Sequence, residues 1–385
     1  MKISGEWLTN PATQAVCAML ETHGHQALFV GGCVRNALLG APVNDIDLST
    51  DAHPEQVMAL AKSAGLHAIP TGVDHGTVTV VADGIPHEIT TFRRDIDTDG
   101  RRAVVAFSDS VEDDAHRRDF TMNALYARSD GTVVDPLGGM ADLQSRHLRF
   151  IDNAQDRICE DYLRILRYFR FHALYGDAED GMDPEALAAI AANTEGLLSL
   201  SKERVGVEVL KLMGADDPAP AVAAMRSTGV LSQILPGTDD RALAPLVHLE
   251  EVNHVPIDPI RRLTALGGVG VETALRLSKK ASRSRDLLRA GLESMEGAGA
   301  LGYRHGVAAA RSILLLRAAV LETPWDSAQL EQAEAGAQAE FPIRPGDLMA
   351  QFQGAALGTA LKELEARWIG SGFLLSKSQL LDSLD

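Results

Sequence analysis

Cysteine is scarce in this chain of 385 residues: Cys17, Cys33 and Cys159 are odd in number and scattered, without Cys-x-x-Cys spacing. That excludes a disulfide-stapled scaffold and points to reduced thiols in a cytoplasmic protein. Long apolar runs are missing too; none reaches the ~18 residues that a membrane helix needs. The opening Met1-Lys-Ile-Ser-Gly-Glu-Trp-Leu lacks the layout of a signal peptide. Positive charge is in deficit, with 36 Lys and Arg against 53 Asp and Glu and a net charge of −17. Indiscriminate nucleic-acid binding is therefore not expected, although contact with a nucleic-acid substrate depends on local charge. Internal repeats and low-complexity tracts are absent, Ala333–Ala339 being the nearest approach to one. The 45% hydrophobic content and mean hydropathy of −0.03 describe a soluble globular chain with room for two or three domains.

The informative stretch is Leu28-Phe-Val-Gly-Gly-Cys-Val-Arg35, followed by Asn44-Asp-Ile-Asp-Leu48. With Asp45–Ser49 read as a strand, Asp45 and Asp47 project from one face, because strand side chains alternate. Two carboxylates aimed at one point repel unless a divalent cation lies between them, and Mg²⁺ bridging carboxylates and substrate phosphates suits such a pair. Gly31 and Gly32 let backbone N–H groups approach a polyphosphate, and Arg35 adds charge beside it. Taken singly, an Asp-x-Asp is a solvated turn and a Gly-Gly a tight bend; joined in this order they point to nucleotidyl transfer.

The rest of the N-terminal third reads as small α/β elements. Helices are expected over residues 11–24, 34–39 and 54–64, closed by Gly24, Gly40 and Gly65. Residues 77–92 form two β-rich runs around Asp83-Gly84, a hairpin signal, with Pro86 at an edge or near the turn. Residues 93–110, rich in Arg, Asp and Gly, read as a mobile loop that orders on a substrate. From about Asp156 the chain is Ala/Leu-rich with helical spacing, an all-α region of helical subdomains in series.

Three further segments carry chemistry. In His116-Arg-Arg-Asp-Phe-Thr-Met-Asn123, Arg118 can hold a triphosphate while Asp119 and Asn123 reach a sugar hydroxyl; a surface ion cluster beside a helix N-cap is the plainer alternative. In Glu160–His172, read as one helix, Tyr162, Ile165, Leu166 and Phe169 form the core face. Asp161 and Arg164 then share the other side, either as an exposed ion pair or as a reader of a base edge. A carboxylate accepts from the exocyclic amino group of adenine or cytosine and a guanidinium donates to the ring, while Arg167 and Arg170 on the next turns reach phosphates. Glu203-Arg204 opens a helix and can lock a neighbouring helix end. Finally, Arg276, Lys279, Lys280, Arg283, Arg285 and Arg289 crowd one short helical stretch opposed only by Asp286. It is either a solvated face or a patch that tracks phosphates.

The order of Gly31-Gly-Cys-Val-Arg35, Asp45-Ile-Asp47, Arg117-Arg-Asp-Phe-Thr-Met-Asn123, Asp135-Pro-Leu-Gly-Gly139, Glu160-Asp-Tyr-Leu-Arg164 and Glu203-Arg204 resembles the class II tRNA nucleotidyltransferase/poly(A) polymerase family over residues 28–210. The resemblance implies an α+β protein with a polymerase-β-like head over residues 1–150. An all-α neck would span 151–215 and a helical body and tail 216–385. It implies Asp45 and Asp47 as Mg²⁺ ligands, with Glu88 as a third carboxylate. Gly31, Gly32, Arg35, Arg118, Asp119 and Asn123 would contact nucleotide, Asp161 and Arg164 would template CTP or ATP, and Arg167 and Arg170 would lie near the phosphates. The expected partners are the tRNA 3′ end, CTP and ATP, with Lys279, Lys280, Arg283 and Arg285 as tRNA contacts and no obligate protein partner. The expected reaction is addition of C, C and A to tRNA. Polyadenylation and CC-only or A-only addition are the alternatives within the family, and an RNA-binding protein on a degenerate head is the one outside it. Asn36 stands where the family usually has aspartate, which removes a supporting salt bridge there.

Overall fold

The computed structural model describes residues 1–98, 103–177 and 180–384. These divide into two compact units, Met1–Ile234 and Leu235–Asp385.

The first unit opens with helix α1 (Pro11–Glu21), capped by the Asn10 side chain, and continues through β1 (Leu28–Val30), α2 (Gly32–Leu39), β2 (Asp47–Thr50) and α3 (Pro54–Ser63). Strands β3 (His67–Gly72), β4 (Thr77–Ala82) and β5 (Ile85–Thr91) follow. Next come β6 (Arg93–Thr98) and β7 (Ala103–Phe107), α4 (Val111–His116), β8 (Tyr126–Arg128) and β9 (Val133–Val134). Seven strands form one sheet in the order β3-β4-β5-β2-β1-β8-β9. Only the β2–β5 pairing among them is parallel, as expected of a partly antiparallel mixed sheet. Leu28 and Val30 pack with Phe92, Ala115, Ala124, Tyr126 and Ile151. Phe29 between them points to the other face, where Trp7 meets it edge-on at 5.1 Å.

The Asp83–Gly84 hairpin forms as expected, both residues taking positive φ (48° and 77°), as a type I′ turn requires. Pro86 sits beside that turn, opposite Val81 and beyond the stretch where β5 pairs β2 from Glu88 onward. Three expectations need correction. Strand β2 begins at Asp47, so Asp45 precedes the strand. Residues 93–110, read as a loop, contain the antiparallel β6–β7 ribbon, with Arg93 opposite Phe107; the segment 99–102 lies outside the described residues. The expected helix across 160–172 is broken: α5 (Ala154–Glu160) stops, Asp161 takes extended φ/ψ, and α6 (Leu163–Tyr175) starts anew.

Helix α6 buries Ile165, Leu166, Tyr168 and Phe169, each contributing ~1.5–3 kcal/mol by removal from water. Tyr162, placed on this face by periodicity, precedes the helix and is half-buried. The face stacks on Phe120 and Phe150, whose rings lie 6.0 and 5.4 Å from that of Tyr168. Helix α7 (Lys202–Met213), capped by Ser201, packs alongside.

The second unit is helical. It includes α8 (Leu243–Val252), α9 (Pro259–Ala265), α10 (Lys279–Glu293), α11 (Ala298–Val320) and α12 (Ala328–Gln338). Helices α11 and α12 touch backbone to backbone: a Cβ at Gly302 would stand 1.9 Å from the Ala333 carbonyl oxygen. The small-residue run at 333–339 is thus a packing seam. Among the described residues no helix is long and apolar enough to cross a membrane. Cys17 and Cys33 are buried free thiols, pushed up to about 12 and 11 by desolvation, and Cys159 is a free exposed thiol.

Candidate active site

Strand β1 runs into Gly31, whose φ of 68° and ψ of −118° swing the chain into α2. A side chain there would be strained, and its Cβ would come within 3.7 Å of Arg118 Nη1. Next to this turn lies the acidic pair. The parallel register sets Asp47 of β2 opposite Glu88 of β5, and Asp45 approaches from the preceding loop. A cleft of about 390 Å³ is walled by Gly32, Arg35, Asp45 and Asp47 on one side and by Arg170, Phe171, Tyr175 and Lys211 on the other. A second of about 430 Å³ joins Asp45 and Asp47 to Thr79 and Glu88.

Crowding shows in the acid–base chemistry. Burial, and after it the negative charge of Glu88, pushes the Asp47 carboxyl up to about 6; Asp45 adds to the rise and Arg118 opposes it. A carboxylate that burial keeps from ionising, with two more beside it, offers a donor set for a cation. Among the described residues, no three His, Cys, Asp or Glu side chains are close enough to hold a metal ion unaided. The residues therefore fit a metal completed by substrate oxygens, as Mg²⁺ sites with one or two carboxylates are.

The arginines are more committed than the sequence suggested. Arg35 is 6% exposed. It donates from Nη1 to Asn123 Oδ1 (2.6 Å), from Nη2 to the Tyr175 hydroxyl (2.8 Å), and from Nε and Nη2 to Asn36 Oδ1 (3.2 and 2.9 Å). Its guanidinium also stacks 4.0 Å from the centre of the Tyr175 ring. Asn36, in the position of the family's usual aspartate, keeps the acceptor but not the charge, and its Nδ2 donates to the Pro42 carbonyl at 2.8 Å. Asn123 donates to Asp119 Oδ1 at 3.0 Å, and Arg167 donates to Asp119 Oδ2 at 2.7 Å. Asp119 and Asn123 thus link the head to α6 with the atoms that were expected to reach a sugar. The Arg167 cation holds the Asp119 carboxyl down to about 2 against its burial. Arg170 pairs with Glu208 at 3.1 Å.

Arg118 lies against Asp114, a fully buried carboxylate that also holds Arg117. The Arg164 backbone N–H donates to the Asp161 carbonyl at 2.9 Å, but the two side chains take different partners. Asp161 Oδ1 accepts from the Leu163 backbone N–H (3.1 Å), which starts α6, and its Oδ2 accepts from Arg204 (2.6 Å). Arg164 pairs with Glu160 at 2.5 Å and donates to the Arg117 carbonyl at 2.8 Å. Neither Asp161 nor Arg164 lines the two carboxylate clefts. In the second unit Lys279, Lys280 and Arg283 are exposed at the start of α10, but Arg285 is wholly buried. It donates to Glu272, and to the Gly267 carbonyl at 2.5 Å, so its place in the basic surface is corrected.

Residues missed by sequence reasoning include Asp114, Tyr126, Ser49, Tyr175 and Lys211. Asp114 was findable, standing three and four residues before Arg117 and Arg118. So was Lys211, on the Arg204–Glu208 face of its helix. Tyr175 and Ser49 left no local signal.

A mixed sheet carrying an Asp-x-Asp pair beside a glycine turn, with an arginine-lined wall, defines a nucleotidyltransferase. Residues 27–149 match the family model described as the poly A polymerase head domain, and 181–241 that of a probable RNA- and SrmB-binding site of polymerase A. The chain is 31% identical over 396 residues to the mitochondrial CCA tRNA nucleotidyltransferase 1 of Mus musculus, covering 96% of this chain and 88% of that one. It is 40% identical over 228 residues to the CCA-adding enzyme of Geobacillus thermodenitrificans, covering 59% of this chain and 54% of that enzyme. The crystal structure of the Bacillus stearothermophilus CCA-adding enzyme in complex with CTP superposes with a TM-score of 0.70 at 27% identity, over 94% of this chain and 92% of that one. The chain belongs to the class II CCA-adding enzyme family.

Proposed function

We propose that this protein adds C, C and A to the 3′ end of tRNA from CTP and ATP, releasing pyrophosphate. The observation that carries the reading is the convergence of Asp45, Asp47 and Glu88 beside the Gly31 turn and Arg118. It is supported by full-length similarity to an enzyme named for this reaction. The tRNA 3′-hydroxyl attacks the α-phosphorus of the bound triphosphate. A new P–O bond to the ribose forms, the α–β bridging P–O bond breaks, and the proton of the hydroxyl is lost to solvent. Asp45 and Asp47 would hold Mg²⁺, with Glu88 as a nearby carboxylate. When bound, the ion supplies positive charge that favours the alkoxide and the departing pyrophosphate.

Within this reading, residues 1–150 act as catalytic head, 151–215 as base-selecting neck and 216–385 as tRNA-binding body and tail. Gly31, Gly32, Arg35 and Arg118 face the triphosphate, with Arg167 and Arg170 behind them. Asp119 and Asn123 border the nucleotide while bracing Arg35 and Arg167. Asp161 and Arg164 select the base; Arg204 leaves the Asp161 oxygens lone pairs for an amino group. Lys279, Lys280 and Arg283 track tRNA phosphates. The compartment assigned is the cytoplasm.

The test uses tRNAs ending before C74, C75 and A76, with CTP and ATP supplied singly and together. Addition of the missing nucleotides and then arrest is expected. Unlimited extension from ATP alone would instead make the protein a poly(A) polymerase, and arrest after C75 a CC-adding enzyme.

A further inference from the structure

The mechanism leaves a fully buried carboxylate of the head unused. Asp114 sits in α4 with its carboxylate out of water and accepts from four side chains. Arg117 Nε donates to Oδ1 at 2.8 Å. Oδ2 accepts from Arg118 Nη2 (2.8 Å), the Tyr126 hydroxyl (2.8 Å) and Ser49 Oγ (3.2 Å). Tyr126 and Ser49 also touch Arg118 directly, at 3.0 Å from Nε and 3.2 Å from Nη2. Every bond that Arg118 makes in this cluster engages its Nε–Nη2 edge. Nη1 takes part in none of them, and it is the atom that stands beside Gly31. The paired guanidinium ions hold the Asp114 carboxyl far below the usual carboxylate range, so the clamp is ionised throughout the working pH range.

We propose that Asp114, with Tyr126 and Ser49, is a positioning residue for nucleotidyl transfer: it grips one edge of Arg118 and presents Nη1 to the phosphates of the incoming nucleotide at the Gly31 turn. The inference rests on the CCA-adding reading. A guanidinium is planar, so fixing Nε and Nη2 fixes the direction of Nη1. An unclamped Arg118 would lose this orientation, and binding of the triphosphate would absorb the cost of restoring it.

The test is a double-mutant cycle on the full-length protein, with Asp114→Asn, Tyr126→Phe and Arg118→Ala, singly and paired. The readouts are single-nucleotide incorporation into tRNA and the Kd for CTP by calorimetry. Asp114→Asn should lower kcat/KM for CTP by roughly 10–100-fold, mostly through KM, and Tyr126→Phe by about 3–10-fold. In the Arg118→Ala background each should matter less than about twofold, because the group they act through is gone. The KM for tRNA and the CTP/UTP preference should stay put. Tyr126→Phe keeps the ring in the core and serves if Asp114→Asn does not fold. Penalties that multiply with Arg118→Ala, or a fall that strikes tRNA and every nucleotide alike, would overturn the proposal. A wild-type protein that adds nothing to tRNA overturns the CCA-adding reading instead, and the CTP Kd cycle still decides the clamp.

Discussion

Neutralising Asp47 should stabilise the metal-free protein. Its carboxyl is pushed from 3.8 to about 6 by burial, Glu88 and Asp45, so without metal the folded state holds this proton more tightly than the unfolded chain does. The folded pKa lies above the unfolded one. The associated stability is therefore fully present below about pH 4 and lost as the pH rises through about 6. At ~1.4 kcal/mol per pH unit the rise sets a ceiling of roughly 3 kcal/mol, and screening of this half-buried group lowers the expectation to about 1–2 kcal/mol. Asn is a neutral isostere of the protonated acid. In chelator, Asp47→Asn should thus match wild type at pH 4 and exceed it by about 1–2 kcal/mol at pH 7.5, read from urea unfolding midpoints. Adding Mg²⁺ together with CTP should stabilise wild type and move the variant less. Nucleotide incorporation should fall at least ~10³-fold in the variant, the scale of losing a principal electrostatic stabiliser. A variant less stable than wild type at pH 7.5, or a difference that ignores pH, would refute the claim that these carboxylates crowd one another.

Replacing Lys279, Lys280 and Arg283 by Ala should raise the KM for tRNA and leave the KM for CTP unchanged. The salt dependence of the tRNA KM should flatten by roughly one log unit for each phosphate left without its cation. Arg285→Ala should instead lower the Tm, because Glu272 and the Gly267 carbonyl lose their buried donor. Asp161→Ala should relieve the penalty on UTP relative to CTP by about 1–3 kcal/mol, or roughly ten- to a hundredfold in the kcat/KM ratio. An unchanged nucleotide preference would leave Asp161 as the partner of Arg204 and the start of α6. Gly302→Val should cost more than ~3 kcal/mol, since its Cβ would collide with the Ala333 carbonyl. Unaltered thermal unfolding would contradict the α11–α12 seam.

Legibility followed the range of the interactions. The core of β2, the β4–β5 hairpin and the Gly-Gly turn were readable because each is set by residues adjacent in sequence. The core face of α6 was readable over Ile165, Leu166 and Phe169 because burial repeats every helical turn. Periodicity failed four residues before Ile165, at Asp161. There the side chain accepts from the Leu163 N–H, a local bond that competes with the helix and that hydrophobic spacing does not register. The β6–β7 ribbon was hidden because charged residues on a two-stranded ladder look like a loop. Strand β3 was hidden because it is a largely exposed edge with no inward face to alternate. Arg285 was grouped with surface cations by composition, and only the chain thirteen residues upstream, at Glu272, makes it a buried pair. The distant partners of Arg118 and Arg35, Ser49 of β2 for the one and Asn123 and, from α6, Tyr175 for the other, stand 69, 88 and 140 residues away, separations that no window along the chain can span.

These long-range pairings bear on how a chain with a net charge of −17 holds a polyanion. Arg118, Arg164, Arg167 and Arg170 each face a carboxylate, from Asp114, Glu160, Asp119 and Glu208 respectively. Their charge is largely spent, and what they offer a phosphate is aimed N–H groups rather than net attraction. Arg35 differs. Its hydrogen-bond partners Asn36, Asn123 and Tyr175 are neutral, and Asp119 reaches it only through Asn123. Burial without a paired carboxylate makes this cation costly in the free protein, and a triphosphate in the adjoining cleft would supply the missing counter-charge. Asn36 therefore holds the Arg35 plane by its Nε–Nη2 edge without carrying a charge, and leaves the Arg35 charge to the substrate. The site concentrates charge that lacks a close partner at Arg35 and at the neighbouring Asp45, Asp47 and Glu88. A nucleotide arriving with its metal ion is the species that neutralises both.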